Sequence, residues 1–119
     1  MEVKSKDNWK AGRLCLDNSL LNAAANRFYY SIFQAVLLYM GKRYGYIRKE
    51  GDRIHKDMIN HLKKDGEATD DEIETFIDFL SLRTMADYKP ATPPIWEIKD
   101  NLYKGENLRD RYLNKAKAT

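Results

Sequence analysis

The segment Leu82-Arg83-Thr84-Met85-Ala86-Asp87-Tyr88 sets a guanidinium, a carboxylate and a phenol at the end of an otherwise apolar run. Traced backwards, Ile73, Phe76, Leu80, Arg83 and Asp87 follow spacings of three or four residues, the period of one helix face. Arg83 and Asp87 are therefore expected one turn apart on the inward side, close enough to pair. Charged groups placed there must be paired or must serve a ligand, because water no longer solvates them. The pattern admits two readings. One is a structural clamp; the other is the floor of a polar site in which Arg83 holds a phosphate through its fork of N–H donors.

Asn26 raises the same question on a second helix. It shares a stripe with Ala23, Tyr30, Phe33 and Leu37, so it is expected to face inward and to need a partner, with Arg83 and Asp87 as candidates. Arg27, its neighbour, joins the candidate cluster. A buried network that fixes the register of two central helices and a ligand cleft both fit these residue types. His55 and His61 are six residues apart and fall on different helix faces, so no metal site is expected from them. No glycine-rich phosphate loop, zinc-ligand spacing or nucleophile elbow is present, and no cofactor is expected. Lys42, Arg43, Arg48, Lys49 and Arg53 gather around one connection, either as a solvated link or as an extension of a phosphate-binding surface.

The elements that must position these groups are helical. No stretch shows the sustained alternation of a half-buried strand, and five helical segments account for the apolar pattern. The first is expected over Asp7–Asp17, capped by Asp7 or Ser5, with Trp9, Leu14 and Leu16 as its apolar side. Asn18 and Ser19 break it. The second, Leu20–Arg43, is apolar almost all round and belongs at the centre, with Gly41 to Gly45 supplying its stop. A basic connection over Tyr46–Gly51 leads to Asp52, the expected cap of a short third helix carrying Ile54, His55, Met58, Ile59 and Leu62. Thr69-Asp-Asp-Glu72 fits a capping box, so the fourth helix starts there and runs to about Asp87. Pro90, Pro93 and Pro94 force a link, and the last helix follows over Ile95–Lys115 with Ile98, Leu102, Leu108 and Tyr112 inward. Gly105 is expected to weaken that helix midway, and the tail from Lys115 to fray.

A chain of 119 residues suits one domain, taken as 1–119 with its core at about 7–115. The fold class is an all-α antiparallel up-down bundle of four to five helices. A net charge of +3 is too small to call for a polyanionic partner. The lone Cys15, in an apolar pattern, reads as a buried thiol, and the polar first ten residues carry no apolar run, so a cytoplasmic protein with no membrane association is expected. Eight tyrosines against four phenylalanines suit half-buried contacts and suggest a self-association face.

Three segments taken together, Asn22-Ala-Ala-Ala-Asn26-Arg27-Phe28-Tyr29-Tyr30-Ser31-Ile32-Phe33-Gln34-Ala35, Ile54-His55-Lys56 and the Leu-Arg-x-x-Ala-Asp-Tyr run at Leu82–Tyr88, resemble the HEPN superfamily and its stand-alone branch. The resemblance covers about Trp9 to Leu113. It implies a commonly dimeric bundle with a polar cleft beside the arginine-bearing helix. Many HEPN domains are metal-independent ribonucleases in which four to six residues separate an arginine from the histidine that follows it. Here Tyr88 stands five residues after Arg83, and no histidine follows His61. A tyrosine, with a reference pKa near 10 against about 6.5 for histidine, is a poor proton carrier at neutral pH. Arg48 and His55 also match the spacing, but in the connection before the third helix. The resemblance thus implies a catalytically degenerate module that binds nucleotide or RNA phosphate through Asn26, Arg27, Arg83, Asp87 and Tyr88. It also implies a minimal nucleotidyltransferase as partner, as in toxin–antitoxin pairs. The alternatives are a ribonuclease toxin using Arg83 with His55 or Tyr88, and a purely structural homodimeric domain.

Overall fold

The structure, a computed structural model, describes residues 1–45 and 54–119. It is all-α, with no strand among the described residues. The helices are α1 (Glu2–Asp17), α2 (Leu21–Tyr44), α3 (Ile54–Asp65), α4 (Asp70–Tyr88) and α5 (Ile95–Ala118). Local chemistry sets several of their ends. The Thr69 hydroxyl accepts from the Glu72 amide while the Glu72 carboxylate accepts from the Thr69 amide, the reciprocal box that the spacing predicts. α2 stops at Gly45, which turns left-handed at φ 66° as glycine does without strain. α5 opens directly after Pro94.

Cross-helix pairs give the topology. Ser5 meets Ser31 and Trp9 meets Phe28, so α1 and α2 form an antiparallel hairpin. Asn26 with Asp87 and Tyr30 with Arg83 set α4 antiparallel to α2. Glu72 with Arg111 sets α5 antiparallel to α4, and Arg13–Glu106 and Glu2–Lys117 close the ring between α1 and α5. These four helices alternate up and down. α3 is added to them, parallel to α2, because Tyr29 pairs with His55 and, ten residues on, Tyr39 with Asp65.

α2 is the central element: Phe28, Tyr29, Ile32, Phe33, Ala35 and Val36 are fully buried. Around it Trp9, Phe28 and Phe79 form an aromatic cluster with ring centroids 4.7 and 6.5 Å apart. Trp9 is buried within it, whereas Trp96, in the first turn of α5, is exposed. Gly12 and Gly105 flank the cluster. A methyl group at Gly105 would lie 2.5 Å from the Phe79 ring, and one at Gly12 2.7 Å from the Phe28 ring. Gly105 is therefore not a weak point of α5 but the place where the helix comes close enough to pack on Phe79.

Several expectations are corrected. α1 begins at Glu2 rather than Asp7, and Ser5 is a buried interior residue, not a cap. The hydroxyls of Ser5 and Ser31 each donate to the other's carbonyl at 2.6 Å, a reciprocal pair that removes both from solvent. Leu14 is 64% exposed and so lies outside the core. Cys15 is half-buried. α5 continues past Lys115, and fully buried Ala116 holds the stretch that was expected to fray. The buried face of α4 is Thr75, Phe76, Phe79 and Leu82, so Ile73, Leu80 and Arg83 form its half-buried flank and Asp87 its exposed end. The expected Asp52 cap, the Tyr46–Gly51 connection and residues Arg48, Lys49 and Arg53 lie outside the described residues. No helix among the described residues is long and apolar enough to cross a membrane.

Candidate functional site

The flank of α4 meets α2 in a chain of polar contacts. Arg83 Nη2 donates to the Tyr30 hydroxyl at 3.1 Å. Its Nε lies 3.1 Å from Asp87 Oδ2, an ion pair one turn apart without the alignment of a hydrogen bond. Asn26 Nδ2 donates to the same Asp87 oxygen at 3.1 Å, which makes Asp87 the partner that Asn26 requires. The guanidinium carbon sits 5.4 Å from the Tyr30 ring centroid and 5.3 Å from that of Tyr88, so the cation lies against two rings. The Arg83 side chain is 12% exposed and that of Asp87 29%, while Tyr88 is 69% exposed. Asp87 occupies the last turn of α4, where a carboxylate opposes the helix dipole and no basic residue accompanies it. Arg83 and Asn26 are what hold it there.

Tyr30 is the residue that the sequence pattern left among the core positions and that the structure places in the cluster. It is half-buried, its hydroxyl accepting from Arg83 and its ring centroid 6.0 Å from that of His55. His55 in turn lies with its Nδ1 2.6 Å from the Tyr29 hydroxyl and its ring 5.1 Å from that of Phe33. The structure thus brings Asn26, Arg83, Asp87 and Tyr88 together, with the His55 ring against that of Tyr30. Arg27 is not part of the group. One residue round the helix from Asn26, it is exposed and donates through Nη1 to Asn8 Oδ1 at 3.2 Å, in the seam between α1 and α2.

A second polar cluster occupies the far end of α2. The Asp65 carboxylate, its side chain fully enclosed, accepts from the Tyr39 hydroxyl at 3.0 and 3.1 Å and from the Tyr44 hydroxyl, with Arg43 Nε at 3.5 Å. Burial, reinforced by the Asp65 carboxylate, pushes the Tyr39 hydroxyl up to about 12. The Tyr44 hydroxyl is raised by its bond to Asp65 and then by burial. His61 lines a cavity of about 300 Å³ here with Tyr44, Lys64 and Asp65. Arg43 and Lys42 stand some 20 Å along α2 from Arg83 at the helical rise per residue. They therefore do not extend the surface around Arg83. Among the described residues, no group of His, Cys, Asp and Glu is placed to hold a metal ion.

The cluster at Arg83 offers binding chemistry: an oriented cation, an exposed aromatic face, and amide and carboxylate groups at fixed distances. The chain matches no protein-family model and no curated protein.

Proposed function

We propose that the chain is an HEPN-like helical module that binds the phosphate of a nucleotide or RNA end at the α2–α4 edge, without the acid–base machinery of a ribonuclease. The observation that carries this reading is the seat of Arg83, a 12% exposed guanidinium held between Tyr30 and the largely exposed Tyr88. Arginine suits such a seat because its planar, weakly hydrated fork stacks on rings and still presents donors to an anion. Nε and Nη2 face Asp87 and Tyr30, which leaves Nη1 for an incoming oxygen, while Tyr88 offers a face on which a base or sugar can stack. A tyrosine stands where the ribonuclease pattern has a histidine, which argues for binding over cleavage. On the partner side, the resemblance points to a minimal nucleotidyltransferase and to a second copy of this chain.

The test is calorimetric titration of the wild type, Arg83→Ala, Asp87→Asn and Tyr88→Ala with 5′-phosphorylated single-stranded RNA and with nucleoside monophosphates. Each protein is melted to verify folding. Arg83→Ala is expected to lose at least tenfold in affinity. Asp87→Asn, which removes the competing negative charge, is expected to gain. Unchanged affinity in folded Arg83→Ala would overturn the proposal, and shortened RNA in the wild-type mixture would favour the ribonuclease alternative.

A second reading rests on the continuous chain Asn26–Asp87–Arg83–Tyr30, which ties α2 to α4. If the cluster serves only as that tie, Arg83→Ala melts well below the wild type and no ligand shifts either protein.

A further inference from the structure

A cavity of about 380 Å³ opens at the same end of the bundle as Arg83, lined by Ser19, Leu20, Leu21, Asn22, Ala23 and Thr92. Its two walls continue the two strands of chain that build the arginine cluster. Asn22 lies one turn before Asn26 on the same face of α2, a rise of roughly 6 Å. Thr92 lies four residues beyond Tyr88 in the link between α4 and α5, where Pro90 and Pro93 restrict the backbone on either side. Ser19, also in the lining, turns the chain at φ 59° between α1 and α2.

The lining is chemically distinct from the cluster beside it. Leu20, a large apolar side chain left 57% exposed, and Leu21 supply flat apolar surface. Ser19, Asn22 and Thr92 bring hydroxyl and amide groups that both donate and accept, and among the described residues no charged one lines the space. Phosphate would find the first-turn amides of α2 here, with no charged partner and no use for the apolar part of the surface. A planar heterocycle uses both parts: its faces pack on apolar side chains, and its edge carries neighbouring donors and acceptors of the kind a carboxamide pairs with. Two turns of α2, roughly 12 Å, separate Asn22 from Tyr30, the residue to which Arg83 donates, a span of the order of that from the far edge of a nucleobase to its 5′-phosphate.

We infer that this cavity receives the nucleobase of the nucleotide whose phosphate Arg83 holds, so that the module selects nucleotides over other phosphoesters. The inference rests on the phosphate-binding reading of Arg83 and adds the base subsite to it. Asn22 and Thr92 read the edge of the base, and Leu20 and Leu21 take its face.

The experiment compares binding of AMP, GMP, CMP, UMP, the four nucleosides, ribose 5-phosphate and inorganic phosphate to the wild type, Asn22→Ala and Thr92→Trp by calorimetry. Both substitutions fall on exposed positions, so folding is expected to survive, and a melt of each variant checks it. Ribose 5-phosphate is expected to bind through Arg83 alone, and at least one monophosphate to bind tenfold tighter or more. In both variants that tenfold increment is expected to vanish while ribose 5-phosphate binds as before. Equal affinity for ribose 5-phosphate and all four monophosphates in the wild type would overturn the base subsite and leave the phosphate reading standing. Nucleosides that bind without any contribution from phosphate would overturn the phosphate reading and leave the cavity assigned. No binding by any compound would overturn both.

Discussion

At one end of the bundle a carboxylate is buried and its cation stays at the rim; at the other a guanidinium is buried and its carboxylate reaches the rim. The Asp65 side chain is fully enclosed and is solvated by the hydroxyls of Tyr39 and Tyr44, with Arg43 44% exposed beside it. Arg83 is 12% exposed and lies against two rings and one hydroxyl, with Asp87 at the edge and Tyr88 open to solvent. Enclosing a charge costs several kcal/mol unless donors or acceptors replace its water. Around Asp65 that replacement comes wholly from the protein, so the cluster is closed. Around Arg83 the replacement is one-sided, and the open side is where the proposed ligand would complete it.

The largest expected effect is at the closed end. Asp65→Ala leaves the buried Tyr39 hydroxyl without its acceptor and is expected to cost about 3 kcal/mol in urea unfolding. Arg83→Ala, whose lost partners include the partly exposed Asp87, is expected to cost about 1 to 2 kcal/mol. Equal losses in the two variants would erase the distinction and favour a tie at both ends. A smaller effect appears only in alkali. Because folding raises the Tyr39 hydroxyl from near 10 to about 12, the folded state holds that proton more tightly. Its contribution is complete below pH 10 and is lost as pH rises through about 12. Stability of the wild type is therefore expected to fall more steeply across that window than that of Tyr39→Phe, as followed by circular dichroism. The smallest effect is that of Tyr88→Ala. At 69% exposure it should stay within about 0.5 kcal/mol of the wild type while weakening nucleotide binding, which separates the open site from the fold.

Features set by neighbours in the chain were legible in the sequence. The Thr69–Glu72 box, the Gly45 stop, the Arg83–Asp87 pair one turn apart and the helical count all follow from local spacing. The partnership of Asn26 with Asp87 was legible too, because a polar residue on an inward stripe needs a bond and few candidates exist. What depends on close approach of distant segments was not. Ser5 looks like a cap until Ser31 is seen across the hairpin, and Gly105 looks like a helix breaker until the Phe79 ring is seen against it. Adjacency to Asn26 puts Arg27 in the cluster, yet a single step round a helix is about 100° and carries it to Asn8. Tyr30 looks like one more inward aromatic of the Asn26 stripe, although its spacing of four from Asn26 puts it on the same face as the group that it joins. The α4 stripe was displaced because a run with apolar residues on more than one side leaves the buried face to be settled by α2 and α5.

The two tryptophans give the molecule a built-in optical readout. Trp9, shielded by aromatic rings with the Arg109 guanidinium carbon 5.1 Å from its own, emits from an environment that exists only while the bundle is intact. Trp96 is 63% exposed, four residues past Thr92 at the open end, and emits as a hydrated indole whether or not the core is folded. A red shift on heating therefore belongs to Trp9. A change in intensity or in acrylamide quenching at constant fold belongs to Trp96, so that one unlabelled sample reports melting and occupancy in separable parts of its spectrum.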